Sequence, residues 1–213
     1  MKCFITGATG FVGRALCERL NTNGIDFIAT SRGGGTLANG LSVRPLDLEL
    51  HGVEPQWLAG VDAVVHLGGI AHQSETASTY EAVNYRATVN LAATAAAAGV
   101  KCFIFLSSVK AMGPALESGP RNEDQCVEAS DPYGHFKRRA ELDLEAVYRD
   151  SKMSVIVLRP ALIYGADAAG NLLLLARAAR AGIPRPPELG GRSMIALDDM
   201  TELLCWLIHE PPH

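Results

Sequence analysis

The chain has 213 residues, 48% of them hydrophobic, and a formal net charge of −4. That is enough apolar matter for one full core and at most a small second lobe. Scattered Lys and Arg in a net acidic chain leave no basic footprint for nucleic acid, and the 5 cysteines, Cys3, Cys17, Cys102, Cys126 and Cys205, show neither metal spacing nor a disulfide framework.

No apolar run approaches membrane length, and no signal-peptide pattern precedes the first apolar run. A cytoplasmic protein without membrane or metal partners is expected. Cys3 and Cys102 fall inside apolar runs and read as small buried hydrophobes.

Met1 to Ile5 predicts a buried strand. Thr6-Gly7-Ala8-Thr9-Gly10-Phe11-Val12-Gly13 follows, and Phe11, Ala15, Leu16 and Leu20 then recur at helical spacing. The glycines therefore lie on a strand-to-helix turn. Gly7 suits a tight turn. Gly10 keeps side chains away from a pyrophosphate, and Gly13 lets the helix lie close to the sheet. The helix N-terminus would then face the phosphates. A plain surface turn is the alternative; the position between a first strand and a first helix points to a dinucleotide site.

Ile25 to Thr30 predicts a second strand, ending in Ser31-Arg32 where a dinucleotide fold often has an acidic ribose ligand. A hydroxyl and a guanidinium suit a 2′-phosphate, which favours NADP over NAD; otherwise Arg32 stacks on adenine or faces water. Gly33-Gly34-Gly35 predicts a mobile loop. Leu41 to Leu46 predicts a third strand, and Asp47 after it either accepts from an adenine amino group or caps a helix.

Val61 to Leu67 predicts a fourth strand, running into the small residues Gly68-Gly69-Ile70-Ala71. His66 reads as a packed histidine rather than a catalytic one, and His72 as a loop residue near a substrate. Ala77 to Gly99 predicts one long alanine-rich helix carrying Asn84. Lys101 to Leu106 predicts a fifth strand that delivers Ser107-Ser108 to the sheet edge where ligands sit.

Residues 109–131 predict a loop over the site. A helix starts at Asp131-Pro132 and carries Tyr133 and Lys137 on one face. A solvated helix face explains the cluster Lys137-Arg138-Arg139 at least as well as a partner site. Met153 to Leu158 predicts a sixth strand ending in Arg159-Pro160. From Ile163 the composition shifts. Leu172 to Leu175 lies in a helical pattern broken by Pro184, Pro186 and Pro187; Arg192 to Leu197 predicts a short strand, and Asp198-Asp199 caps a last helix through Ile208.

Alternating strands and helices predict an α/β fold with a doubly wound parallel sheet. The expected division is a dinucleotide-binding domain over 1–160 and a small, truncated substrate lobe over 161–213.

Ser108, Tyr133 and Lys137 thus converge on the cofactor edge. A tyrosine titrates near pH 10 when free; a lysine one turn away and a nicotinium ring are expected to lower that value. Tyr133 would exchange a proton with a sugar hydroxyl as hydride leaves or returns to the same carbon. Ser108 would hold the oxygen, Lys137 the nicotinamide ribose, and Asn84 a water in a proton relay.

This order of motifs resembles the extended short-chain dehydrogenase/reductase family, more narrowly its nucleoside-diphosphate-sugar epimerase/dehydratase branch. Thr6 to Gly13 is similar to TGxxGxxG, Asp47-Leu48 to the adenine-contacting DL, and Val65 to Gly69 to VVHLAA. Asn84 opens a stretch like VNxxGT; Ser107-Ser108-Val109-Lys110 resembles SSxxxYG; Pro132 to Lys137 with Ala140-Glu141 resembles PYGxSKxxAE. Leu158-Arg159-Pro160 and Tyr164-Gly165 resemble LRPxxVYG, and Arg192 with Asp198-Asp199 the sugar-nucleotide arginine and its VDD.

The resemblance implies a Rossmann fold and NAD or NADP along Gly7, Thr9, Gly10, Phe11, Val12, Gly13, Ser31, Arg32, Asp47, Leu48, Leu67, Gly68, Gly69, Asn84, Ser107, Tyr133, Lys137 and Pro160. It implies catalysis by Ser108, Tyr133, Lys137 and Asn84, with a sugar nucleotide held by Ser108, Tyr133 and Arg192. Ser-Ser-Val-Lys followed by Gly113 resembles UDP-sugar 4-epimerases and 4-ketoreductases of polysaccharide synthesis, and the family implies a homodimer through the alanine-rich helix and the Tyr133 helix. The short lobe leads to an exposed sugar site of millimolar affinity. A cofactor-binding sensor without turnover, and an enzyme of the same fold acting on a non-nucleotide carbonyl, are the competing readings.

Overall fold

The computed structural model describes residues 1–71, 75–115, 119–149, 151–166, 177–183 and 193–211. His72, Leu172 to Leu175, Pro184, Pro186, Pro187 and Arg192 lie outside them, and with them the helix, loop and substrate contact expected there.

The strands are β1 (Lys2–Thr6), β2 (Asp26–Ser31), β3 (Gly35–Thr36), β4 (Ser42–Pro45), β5 (Ala63–His66), β6 (Cys102–Leu106) and β7 (Ser154–Leu158). They form a 7-stranded sheet in the order β3-β4-β2-β1-β5-β6-β7. All neighbours from β4 to β7 pair in parallel. The chain winds outward from β1 in one direction and then, from β5, in the other. That reversal opens a crevice at the C-terminal ends of β1 and β5, the usual ligand position in such sheets.

Alternate residues of each strand point to opposite faces, and both faces are buried. Cys3, Ile5, Val65 and Ile104 pack with Leu16 and Leu20 of helix α1 (Phe11–Thr22). Phe4, Val64, Phe103 and Phe105 pack on the other side. Their partners there are Leu91 and Ala95 of α3 (Ala87–Ala97) and Ala140 and Leu144 of α4 (Pro132–Arg149). The alanines explain the composition of α3: small side chains let it approach the sheet closely.

Several elements differ from expectation. Gly35 is not in a loop but begins β3, antiparallel to β4. Gly34 makes the reversal possible: its φ is +60°, and a Cβ there would lie 2.9 Å from the Pro45 nitrogen. The long helix is interrupted. A short α2 (Ala77–Tyr80) passes into a π-helical stretch, Glu81–Arg86, before α3. β8 (Leu162–Tyr164), not anticipated as a strand, pairs in parallel with β9 (Met194–Ala196) in a separate 2-stranded sheet.

Helix α5 (Leu197–His209) follows β9. It does not stand apart in a second lobe: Met200, Leu204, Leu207 and Ile208 share the cluster that holds Cys3 and Leu16. Arg19 of α1 donates to Thr201 Oγ1 at 2.9 Å and to the Asp198 carbonyl at 3.2 Å. Cys3 and Cys102 are buried as expected. Among the described residues no helix is long and apolar enough to cross a membrane, and no cluster of metal-ligating side chains occurs.

Candidate active site

The turn between β1 and α1 leaves no room for side chains at two of its glycines. Gly7 has φ +71°, and a Cβ on it would sit 2.8 Å from the Gly68 nitrogen. A Cβ on Gly13 would sit 2.2 Å from the Gly7 carbonyl oxygen. Gly13 is therefore required by the turn itself and not, as the sequence suggested, by the sheet. Gly10 is the N-cap of α1; no side chain caps it and no acid lies in the first turn. The free N–H groups and positive end of α1 are open to an anion.

A cavity of about 500 Å³ lies against this end of α1, lined by Gly7, Gly10, Phe11, Val12, Gly13, Leu67, Gly69, Ser107, Tyr133 and Lys137. A second, of about 230 Å³, continues it past Thr9, Ser31, Asp47, Leu48 and Gly68. Arg32 is exposed and borders both. Ser31 is buried and its hydroxyl turns to the Gly34 carbonyl at 3.4 Å. Asp47 lines the smaller cavity and heads a turn, not a helix: Oδ1 accepts from the backbone N–H groups of Glu49 and Leu50 at 3.0 and 3.3 Å.

The turn after β5 is held at both ends. Thr88 Oγ1 donates to the Asn84 carbonyl at 3.1 Å, so it accepts from His66 Nε2–H at 2.9 Å. His66 Nδ1 then accepts from Thr6 Oγ1 at 2.6 Å, and Thr6 Oγ1 accepts from Gly68 N–H at 3.2 Å. One tautomer satisfies every member of this buried chain. Burial, helped by the Lys137 charge, pulls His66 down to about 3, so it stays neutral. It is a packed histidine, as expected.

Asn84 is fully buried, and its side chain is engaged by the loop after β5. Its amide donates to the Ile70 carbonyl and accepts from the Ile70 N–H, both at 2.8 Å. Its function is to clamp the turn Gly68–Ala71. Gly69 is small for a reason: a Cβ there would meet Asn84 Oδ1 at 3.0 Å and Lys137 Nζ at 3.2 Å.

Tyr133 and Lys137 both line the larger cavity. Lys137 is buried, donates to the Leu106 carbonyl at 3.0 Å and lies 4.5 Å from the Phe105 ring centroid. Burial lowers it to about 8, with Glu141 opposing. Tyr133, however, is shifted up rather than down. Burial raises it most, a hydrogen bond from the Ser108 hydroxyl pulls the other way, and the charges of Asp131 and Tyr80 push it further up. Lys137 spends its charge on Leu106 and Phe105 instead of the phenol. Lys110 stands over the Tyr133 ring at 5.7 Å and is paired with Asp131 at 3.1 Å.

Ser108 caps the 3-10 turn Val109–Met112, accepting from Lys110 N–H at 3.2 Å. The Pro160 carbonyl supports the same turn through Val109 N–H at 3.0 Å, away from both cavities. Ser107 lines the larger cavity, and its hydroxyl donates to the buried Glu141, which leaves it an acceptor toward the cavity. Arg159 grips that carboxylate with two bonds, at 3.0 and 2.9 Å, and Arg138 adds a third at 3.0 Å. Of the basic triplet only Arg139 is exposed, 4.2 Å from the Tyr85 ring centroid; Lys137 is buried, and the half-buried Arg138 pairs with Glu141.

Thr6, Ile70, Thr88 and Glu141 were missed. Glu141 stood in the motif Ala140-Glu141 and Thr88 in the stretch after Asn84, but their partners are distant in sequence.

The cavities fit a dinucleotide: a glycine turn without room for Cβ atoms, an uncapped helix end, and a lysine and phenol beyond it. A family model described as "NAD dependent epimerase/dehydratase family" matches residues 3–211. The chain is 33% identical to a UDP-glucose 4-epimerase of Vibrio cholerae, over 97% of this chain and 66% of that protein. It is 30% identical to a 2-alkyl-3-oxoalkanoate reductase of Stenotrophomonas maltophilia, over 85% of this chain and 57% of the other. Among solved structures, MoeE5 in complex with UDP-glucose and NAD matches with a TM-score of 0.81 at 27% identity, covering 96% of this chain and 71% of that one.

Proposed function

The chain belongs to the NAD dependent epimerase/dehydratase family, and from that premise we propose that it transfers hydride reversibly at C4 of a UDP-hexose, in the manner of a UDP-glucose 4-epimerase. The observation that carries this reading is one cavity shared by the α1 glycines, Lys137 and Tyr133. The similarity to the Vibrio cholerae epimerase supports the substrate class; because the chain spans 66% of that protein, the whole reaction remains part of the proposal.

When bound, an oxidised nicotinamide ring supplies the hydride acceptor and a positive charge beside the phenol. The free helix end of α1 and the tight glycine turn hold the diphosphate. Lys137 holds ribose hydroxyls from its seat on Leu106. Tyr133 takes the proton of the C4 hydroxyl and gives it back after the sugar has presented its other face. Ser108 accepts from Lys110 N–H and its hydroxyl faces the Tyr133 phenol; with substrate bound it would turn its hydrogen to the C4 oxygen. Arg192, outside the described residues, is proposed for the sugar nucleotide, and a homodimer through α3 and α4 belongs to the same reading.

Arg32 favours a second reading, an NADPH-dependent 4-ketoreductase of a UDP-sugar. It is the exposed cation bordering the cavities where an acid would repel a 2′-phosphate. Incubation with UDP-glucose or UDP-galactose, with and without added NADH or NADPH, separates the two. Turnover without external cofactor marks the epimerase; stoichiometric NADPH loss with a 4-keto sugar marks the reductase. Tyr133→Phe is expected to cut either rate by about 10²–10⁴-fold. Equal rates in wild type and Tyr133→Phe would remove the phenol from the chemistry.

A further inference from the structure

Tyr80 closes α2 and is 3% exposed. Its hydroxyl is buried and makes no hydrogen bond among the described residues. Buried phenols normally find a partner, because a hydroxyl stripped of water with nothing in exchange destabilises the fold. The placement of this one is specific. The Tyr80 and Tyr133 rings meet at an angle of 66°, with centroids 6.1 Å apart. The π-helical stretch that carries Asn84 starts at the next residue, and such insertions recur at functional sites.

We propose that Tyr80 is a positioning residue for Tyr133: its hydroxyl donates a hydrogen bond, directly or through one water, to the Tyr133 oxygen once that oxygen is anionic. This rests on the reading of Tyr133 as the group that exchanges the proton. A donor to an anionic oxygen forms a stronger bond than the same donor to a neutral hydroxyl. The contribution of Tyr80 is therefore differential: it favours the phenolate over the phenol. The edge-on contact of the two rings, at 6.1 Å between centroids, keeps the Tyr80 hydroxyl in the neighbourhood of the phenol it would serve.

The other charged groups around Tyr133 cannot fill this role in the same way. Lys110 lies over the ring face and is engaged by Asp131 at 3.1 Å. Lys137 is turned to Leu106. Glu75, on the cavity wall, is an acid. Tyr80→Phe leaves all four in place.

The test is an ultraviolet titration of tyrosinate, with the Tyr133→Phe variant as the blank that isolates the Tyr133 signal. It is run on wild type and Tyr80→Phe, each with and without oxidised NAD. With NAD bound, Tyr133 is expected to titrate about one pH unit higher in Tyr80→Phe, or about tenfold less phenolate at a fixed lower pH. NAD affinity and the urea midpoint should not fall, since the lost hydroxyl has no bond to lose. An unshifted Tyr133 titration overturns the proposal. So does a lowered urea midpoint, which would show a hydroxyl already bonded within the fold. Failure of NAD to lower the Tyr133 titration in wild type would instead count against the catalytic reading, and the Tyr80 comparison would still be readable from the cofactor-free pair.

Discussion

Gly13 and Gly10 look alike in the glycine turn but differ in what a methyl group would meet. At Gly13 the added carbon lies 2.2 Å from the Gly7 oxygen and 2.8 Å from Ala8 Cα, all backbone. At Gly10 it meets one carbonyl oxygen at 3.1 Å. Gly13→Ala is expected to lose about 1–3 kcal/mol of stability through overpacking. Gly10→Ala should stay within about 0.5 kcal/mol, yet weaken dinucleotide binding by blocking the approach to the α1 amides. Urea midpoints and calorimetric NAD titration measure the two effects; equal stability costs would contradict this division of labour. The pattern of glycines was readable in the sequence because φ and close approach depend on local spacing. So was the pairing of Tyr133 with Lys137, since a four-residue step on a helix brings both to one cavity. The tuning of the phenol was not, because it depends on where the Lys137 ammonium turns. The bonds of the Ser107 hydroxyl and the Asn84 amide were not legible for a similar reason: their partners, Glu141 and Ile70, lie 34 and 14 residues away.

At the level of elements, β5 is tied to the interrupted helix by one imidazole. His66 links Thr6 at the end of β1 to Thr88 in α3. Its depressed value of about 3, against 6.5 for a free histidine, makes that tie pH-sensitive. Between these values the unfolded chain binds a proton that the fold refuses, so stability is full above the unfolded value and falls as the solution is acidified. One refused proton is worth about 1.4 kcal/mol per pH unit. From about pH 7 to about pH 5, wild type should lose about 2 kcal/mol more than His66→Gln, read from urea midpoints at the two pH values. An identical loss in both proteins would mean that the ring is protonated within the fold. Apolar spacing revealed β5 and the helix that faces it, but the π-helical stretch was invisible. It is a change in hydrogen-bond register, and residue type at Glu81–Arg86 carries no mark of it.

For the molecule as a whole, the doubly wound order followed from alternation of strand and helix, since right-handed crossovers leave few other topologies. The placement of α5 did not follow. An amphipathic pattern says that a helix hides one face, not which surface hides it; here the surface is α1 and the sheet. If that contact is integral to the fold, Leu204→Ala, at a fully buried position, should cost about 2–5 kcal/mol. Trp206→Ala, at a position 52% exposed, should change stability by no more than about 0.5 kcal/mol. The shape of the transition is as informative as its midpoint. Unfolding followed by circular dichroism and by NAD release should shift together in Leu204→Ala, because α5 and β1 share one buried cluster and cooperative units unfold whole. An early transition in Leu204→Ala that melts α5 and leaves NAD binding intact would make α5 an appendage. The division at 160 would then describe the energetics better than the shared core does.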